Sequence, residues 1–152
     1  MVTTLVLGLG NTIMSDDGIG PKMIEQLQHD VTLPDGVTLL DGGTLGLDLL
    51  SHLEGVQRLI IVDAVEIGQP AGTCVRLAGD EVPMALETKL SHHQMGMKDL
   101  LAVARLMGQL PEEIVLIGVQ PASLEMDTEL TAPVAAAIPT LLTMVQAELA
   151  GN

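Results

Sequence analysis

The sequence predicts an α/β fold: a single three-layer domain over residues 1–152, with a mainly parallel, twisted five-stranded sheet between helices. Three observations lead there. Short apolar runs alternate along the chain with stretches of helical periodicity, the pattern of successive βα units. The run over residues 59–62 is apolar without polar alternation, as in a strand covered on both faces. No internal repeat, low-complexity stretch or linker interrupts the series.

Taken in order, the first strand covers residues 5–9 and enters a turn containing Gly8, Gly10 and Asn11, residue types that accept the positive φ of a tight turn. Asp16, Asp17, Gly18 and Gly20 follow, then a helix over 20–28 with Met23, Ile24 and Leu27 on its inner face. Pro21 is tolerated because the first turn of a helix donates no intrahelical bond. A turn at Pro34, Asp35 and Gly36 leads to a second strand, 37–40, closed by Asp41, Gly42 and Gly43. A short helix is expected over 45–53 and a third strand over 59–62, ending in Asp63. After a turn-rich break at 68–72 comes a strand over 73–77. Residues 79–90 read as irregular, since Pro83 opposes a long helix. Ser91, His92, His93 and Gln94 have the form of a capping box, so a helix is expected to start at His92. Its inner face is Met97, Leu100, Leu101, Ala104 and Met107, and Gly108 stops it. A strand over 114–119 precedes a last helix over 131–149, with Val134, Ile138, Leu141, Leu142, Val145 and Leu149 facing in.

Composition removes whole classes of function. Six Lys and Arg stand against twenty Asp and Glu, a formal net charge of −14. Nucleic-acid binding rests on neutralising phosphates with basic side chains, so that partner is not expected. With no Phe, Tyr or Trp there is also no platform for stacking bases. The core must be built from Leu, Ile, Val, Ala and nine Met; Met14, Met95 and Met97 read as packing, not ligation. No apolar run approaches the ~18 residues of a membrane span, and no secretory signal is visible. The single cysteine, Cys74, falls in a predicted strand and reads as inert packing. A cytoplasmic monomer that contacts no membrane is the expectation.

The turn after the first strand invites a misreading. Gly8 and Gly10 resemble the opening of a dinucleotide fingerprint, but Ile13 occupies the third glycine position and two acids stand where a pyrophosphate would sit. Acids at a helix mouth also suit ordinary capping. What separates this turn from a merely capped one is that the next two strands end the same way, in Asp41 and Asp63. In a parallel sheet the strand C-termini share one edge, and ligands bind there, where strand order reverses. If the first strand lies between the second and third, Asp16, Asp17, Asp41 and Asp63 gather at that edge. Carboxylates a few ångströms apart cannot all stay ionised without a counter-ion. A divalent cation is the economical solution, and two carboxylates with one imidazole suit a transition metal with positions left for water or substrate. His93 is the natural imidazole, with His92, His52 and His29 as competitors; the identity of the metal is not legible from the spacing.

Gly10 and Asn11 followed by Asp16, Asp17, Gly18 and Gly20, then Asp41, Gly42, Gly43, Thr44 and Gly46, then Val62, Asp63 and Ala64, His93 and Gln94, and Gly118, Val119, Gln120 and Pro121 together resemble the nickel–iron hydrogenase maturation endopeptidases, over nearly the whole chain. The resemblance implies a five-stranded α/β domain and an activity: removal of a short C-terminal extension from the hydrogenase large-subunit precursor, after nickel insertion, in the cytoplasm. Carried over position by position, it implies nickel contacts at Asp17, Asp63 and His93, and an association with cleavage at Asp41. Asp16 is a neighbour whose share it leaves open. On this reading nickel arrives with the substrate as a recognition tag, other divalent ions can substitute, and Asp41 or a metal ligand is the base that activates water. Absence of a Ser or Cys nucleophile motif argues against an acyl-enzyme. Two rival readings are a non-catalytic nickel-binding chaperone, using the same ligands, and a phosphate- or nucleotide-binding α/β domain.

Overall fold

A computed structural model of the chain describes residues 3–43, 48–86 and 97–150. Five strands form one sheet: β1 (Thr4–Leu9), β2 (Val37–Gly43), β3 (Arg58–Ala64), β4 (Cys74–Ala78) and β5 (Glu113–Val119), in the spatial order β2-β1-β3-β5-β4. The first four in that order run parallel, and β4 lies antiparallel to β5 at one edge. The expected mainly parallel sheet is what forms, and the first strand takes the place between the second and third on which the gathering of the acids depends. The helices are α1 (Ile19–Asp30), α2 (Leu49–Leu53), α3 (Glu81–Leu86), α4 (Met97–Leu106) and α5 (Ala132–Ala150), and a single 3-10 turn, Ser15–Gly18, precedes α1.

Alternation along the strands divides the core into two layers. Val6, Ile60, Val62, Val115 and Ile117 face α1 and α5; Leu5, Leu7, Leu59, Ile61 and Leu116 face α2, α3 and α4. Both faces of β3 are covered, and every residue of it is buried, which is why its sequence shows no polar alternation.

Three expectations need correction. Residues 79–90 are not irregular throughout: Glu81–Leu86 is a short helix burying Val82 and Leu86, and Pro83 fits because it lies in the first turn, where its missing N–H costs nothing. Met107 is not part of an inner face. The helix ends at Leu106, and Gly108 N–H to Arg105 O with Gln109 N–H to Ala104 O wraps the chain away, leaving Met107 57% exposed. The strands also run further than their apolar cores, so Asp41 and Asp63 belong to β2 and β3 themselves. The capping box at 91–94 and the start of the helix expected at 45 lie outside the described residues.

Among the described residues α5 is the one helix long and apolar enough by composition to cross a membrane. Here its Val134, Leu141, Val145 and Leu149 pack in the core, and it carries a buried acid. Glu148 accepts from the Arg58 guanidinium, through both its carboxylate and its backbone carbonyl, and from Arg76. Arg58 Nε also lies 3.1 Å from Glu113 Oε2. Arg58 is nearly buried, so this ionic cluster satisfies a charge that the sheet has taken out of water.

What positions the future site is the closeness of α1 to β1. A Cβ on Gly20 would lie 2.1 Å from Leu9 O and 2.7 Å from Val62 O; one on Gly8 would lie 2.4 Å from Gly20 O and 2.6 Å from Ile24 Cγ1. The helix therefore rests backbone-on-backbone against the ends of β1 and β3. Gly20→Ala has no flexible neighbour to displace, so it is expected to destabilise by roughly 1–3 kcal/mol, the usual cost of overpacking. Urea unfolding of the purified variant measures this; a midpoint equal to wild type would show that α1 is not seated as described.

Candidate active site

The C-terminal edge of β2, β1 and β3 collects three of the acids singled out in the sequence. Asp41 is in register with Gly8 of β1, Asp63 is in register with Gly118 of β5, and Asp17 stands in the 3-10 turn that leaves β1. β1 is hydrogen-bonded to β2 on one side and β3 on the other, so this is the place where strand order reverses. The acids approach it from different directions. By strand alternation Asp41 shares the α1 face with Val37 and Leu39, whereas Asp63 shares the opposite face with Leu59 and Ile61. Asp41 is exposed and Asp63 is buried.

Local geometry explains each position. At the end of β2 two residues, Gly42 and Gly43, oppose Leu9, a bulge that turns the strand outward just after Asp41. Gly42 lets the strand pass close to the Leu7 side chain, since a Cβ there would lie 2.6 Å from Leu7 Cδ1 and would push it aside. Asp63 Oδ1 accepts from the following N–H, that of Ala64, at 2.9 Å, which fixes the carboxylate at the strand end. Asp17 Oδ2 accepts the Asn11 N–H at 2.8 Å, closing the turn over Gly10, whose φ of +125° and 1.8 Å Cβ approach to Asp17 O admit only glycine.

Asp16 behaves quite differently from its neighbour. It is fully buried, with no exposed surface. Its Oδ2 accepts from the N–H groups of Ala122 (2.8 Å) and Ser123 (3.1 Å), and its Oδ1 from the N–H of Thr131 (2.8 Å). Thr131 Oγ1 lies within hydrogen-bond distance of both oxygens. Burial pushes the Asp16 carboxyl up, but the bonds from Thr131, Ala122 and Ser123 outweigh it and hold the group below the usual aspartate range. The acid thus ties the 3-10 turn to the loop between β5 and α5. The same contact holds Ser15 at φ +50°, with its N–H on Asp127 O and its hydroxyl on Glu125 O.

Among the described residues no group of three or more His, Cys, Asp or Glu side chains is placed to hold a metal ion. His93 and His92 lie outside the described residues, so the expected third ligand does too. His29, in the last turn of α1, and His52, at the end of α2, are both exposed. Cys74 is half-buried, and burial pushes its thiol up, away from the reactive thiolate.

Sequence reasoning did not find two supporting residues. Thr131, which the sequence offers only as a helix start, directs its hydroxyl to Asp16. Gln120 is buried; its Oε1 accepts the Ile67 N–H at 2.7 Å and its Nε2 donates to Glu66 Oε2 at 2.8 Å, stapling the loop after β3. Only the Gly118–Pro121 stretch within the family resemblance pointed to it.

Fold and rim define a doubly wound α/β protein whose ligand-binding edge is lined by carboxylates rather than by a phosphate cradle. Residues 21–148 match the family described as hydrogenase maturation protease. The chain is 42% identical over 146 residues to the hydrogenase 2 maturation protease of Escherichia coli (strain K12), covering 95% of this chain and 89% of that one. It is 46% identical over 122 residues to the hydrogenase expression/formation protein HupD of Rhodobacter capsulatus, covering 80% of this chain and 58% of that one, less than two thirds of its length. Its fold superposes on the hydrogenase maturating endopeptidase HybD from E. coli with a TM-score of 0.91 and 40% identity, covering 99% and 93% of the two chains. The chain belongs to the hydrogenase maturation protease family, a family of peptidases.

The Asp16 contacts carry a stability prediction. Asp16→Asn keeps the shape but puts an NH2 where backbone donors converge, and is expected to cost about 1.5–3 kcal/mol, the range for hydrogen bonds to a charged group. Because the folded-state carboxyl lies below its unfolded value, its stabilisation is present above about pH 4 and is lost as pH falls through the folded value. Thermal unfolding from pH 7 to pH 3 checks both: wild type should lose more stability on acidification than Asp16→Asn, and parallel curves would rule this role out.

Proposed function

We propose that the chain is a cytoplasmic endopeptidase that removes the C-terminal extension of a nickel–iron hydrogenase large-subunit precursor once nickel is in place. The observation that carries the reading is the meeting of β1, β2 and β3 at one edge, with Asp17, Asp41 and Asp63 on their ends, in a chain of the hydrogenase maturation protease family. In this reading nickel is part of the substrate. Asp17, Asp63 and His93 contact it through its open positions, and the ion tells the enzyme that the precursor is ready. Two features support that assignment. Asp63 is buried at a strand end, and the segment carrying His93 leads into α4, which packs on the sheet face that Asp63 shares. Other divalent ions of similar ligand preference can substitute.

With the ion seated, the peptide bond near it is held in the crevice, and positioning lowers the entropic part of the barrier. A water molecule gives one proton to a carboxylate and its oxygen adds to the carbonyl carbon. Collapse of the tetrahedral species breaks the C–N bond, and the carboxylic acid returns the proton to the departing amine. Asp41 suits the base role, since it stands exposed at the rim on the opposite sheet face from Asp63. The enzyme acts as a monomer.

Incubating the purified enzyme with nickel-loaded and nickel-free precursor tests this by the mass of the large subunit. Only the loaded form should shorten. Equal processing of both forms would refute the tag, and an unchanged length in both would make the protein a nickel-binding chaperone. Asp41→Asn is expected to lower kcat by about 10²–10⁴-fold, the usual contribution of a general base, while leaving nickel-dependent binding of the precursor intact.

A further inference from the structure

The rim carries a surface feature that the proposed chemistry does not use. Residues 122–130 join β5 to α5 by running beside the turn that follows β1. Asp127 N–H donates to Ile13 O at 3.0 Å and Ser15 N–H to Asp127 O at 2.9 Å, a parallel bridge between Met14 and Asp127. That register sets Met126 alongside Ile13. Met126 is 78% exposed, and Ile13 and Leu124 are each 48% exposed. A lone exposed Met or Leu is ordinary, but three large apolar side chains on one short strip call for a partner. Acids alternate with them: Glu125, Asp127 and Glu129 are all exposed.

The strip is also held in shape. Asp16 grips it at Ala122 and Ser123 and again at Thr131, and Ser15 Oγ donates to Glu125 O between those points. A surface already in its bound form loses little conformational entropy on association. The adjoining cleft, between Thr12, Lys22, Glu25, Thr128 and Leu130, has a volume of only about 70 Å³, far below the ~300 Å³ of a small-molecule pocket, so recognition here is surface against surface.

We propose that Ile13 and residues 124–129 form the docking strip for the precursor, and that it receives a segment in which apolar residues are interspersed with Lys or Arg. Charge selects this occupant. The chain carries −14, with twenty acids against six bases, so an acidic partner surface is repelled and a cationic one is steered in. The apolar side chains of the segment cover Ile13, Leu124 and Met126, and its cations meet Glu125, Asp127 and Glu129. This inference rests on the peptidase reading, but docking and cleavage are measured separately.

Two double variants outside the proposed chemistry test it: Leu124→Ser with Met126→Asp, and Glu125→Lys with Glu129→Lys. Binding of the purified nickel-loaded precursor to the immobilised enzyme is followed by interferometry, and processing by kcat and KM, with thermal unfolding to confirm that each variant folds. The first pair should raise Kd and KM by about tenfold or more, as for loss of central apolar anchors, with kcat within about twofold. The second should slow association and flatten its dependence on salt. Wild-type Kd and KM in both variants would overturn the docking strip even if cleavage proceeds. Failure of the wild type to cleave at all would overturn the peptidase reading, and the Kd comparison would still decide the strip. If the variants change self-association in size-exclusion chromatography but not precursor binding, the strip serves a second copy of the chain and the proposal falls.

Discussion

A buried carboxylate with backbone donors around it organises one whole edge of this protein. Asp16 is out of contact with water, and it accepts from main-chain N–H groups and the Thr131 hydroxyl rather than from a cation. An unpaired ion in that position would cost several kcal/mol; converging donors replace the lost hydration and keep it charged. Because those donors belong to the loop after β5, the bond set joins the first crossover of the fold to the loop that leads into its last helix. Asp17, one residue on, is thereby placed at the rim, held by Asn11 and partly open to solvent. Two adjacent acids thus have separate tasks, one in holding the loops and one at the edge.

How far this was legible follows from the range of the interactions. The strand and helix pattern is local, and the apolar runs at 5–9, 59–62 and 114–119 announce a covered parallel sheet without help from anything distant. The place of β1 between β2 and β3 is one arrangement that right-handed crossovers allow, and it brings Asp41 and Asp63 to the same edge. The role of Asp16 was not legible, because its donors lie 106 to 115 residues further along the chain and three of them are backbone groups that no residue type betrays. Met107 misled for the opposite reason: helical periodicity continues through it, but the Gly108 terminus has already unwound the helix. Pro83 does exclude a long helix, but its first-turn position still allows the six residues of α3.

The sheet also constrains how the acids of the rim can cooperate. Asp41 and Asp63 lie on strands that flank β1, and on opposite faces of the sheet. Neither face offers a common point between them. Any group touched by both must sit beyond the strand ends, past β1, where Gly8 and Gly20 let the backbone of α1 come down onto the sheet. Close packing of helix on strand is therefore part of the site's construction as much as of the core.

Cations are scarce in this chain, and where they go decides the field at the rim. Arg58 and Arg76 are occupied by Glu148, with Arg58 also beside Glu113, at the start of β3 and along β4, away from the edge that carries Asp17, Asp41 and Asp63. Their charge is neutralised locally and does little to offset the acids elsewhere. Lys22 is a cation in the cleft beside Thr128 and Leu130. It is outnumbered by Asp17, Asp41 and Asp63 at the rim and Glu125, Asp127 and Glu129 on the strip, so the net charge of this edge is negative. A ligand that settles there gains most if it brings positive charge in two forms, a metal ion at the strand ends and basic side chains along the strip. A metal-loaded protein substrate supplies both, whereas a free nucleotide or phosphate supplies neither.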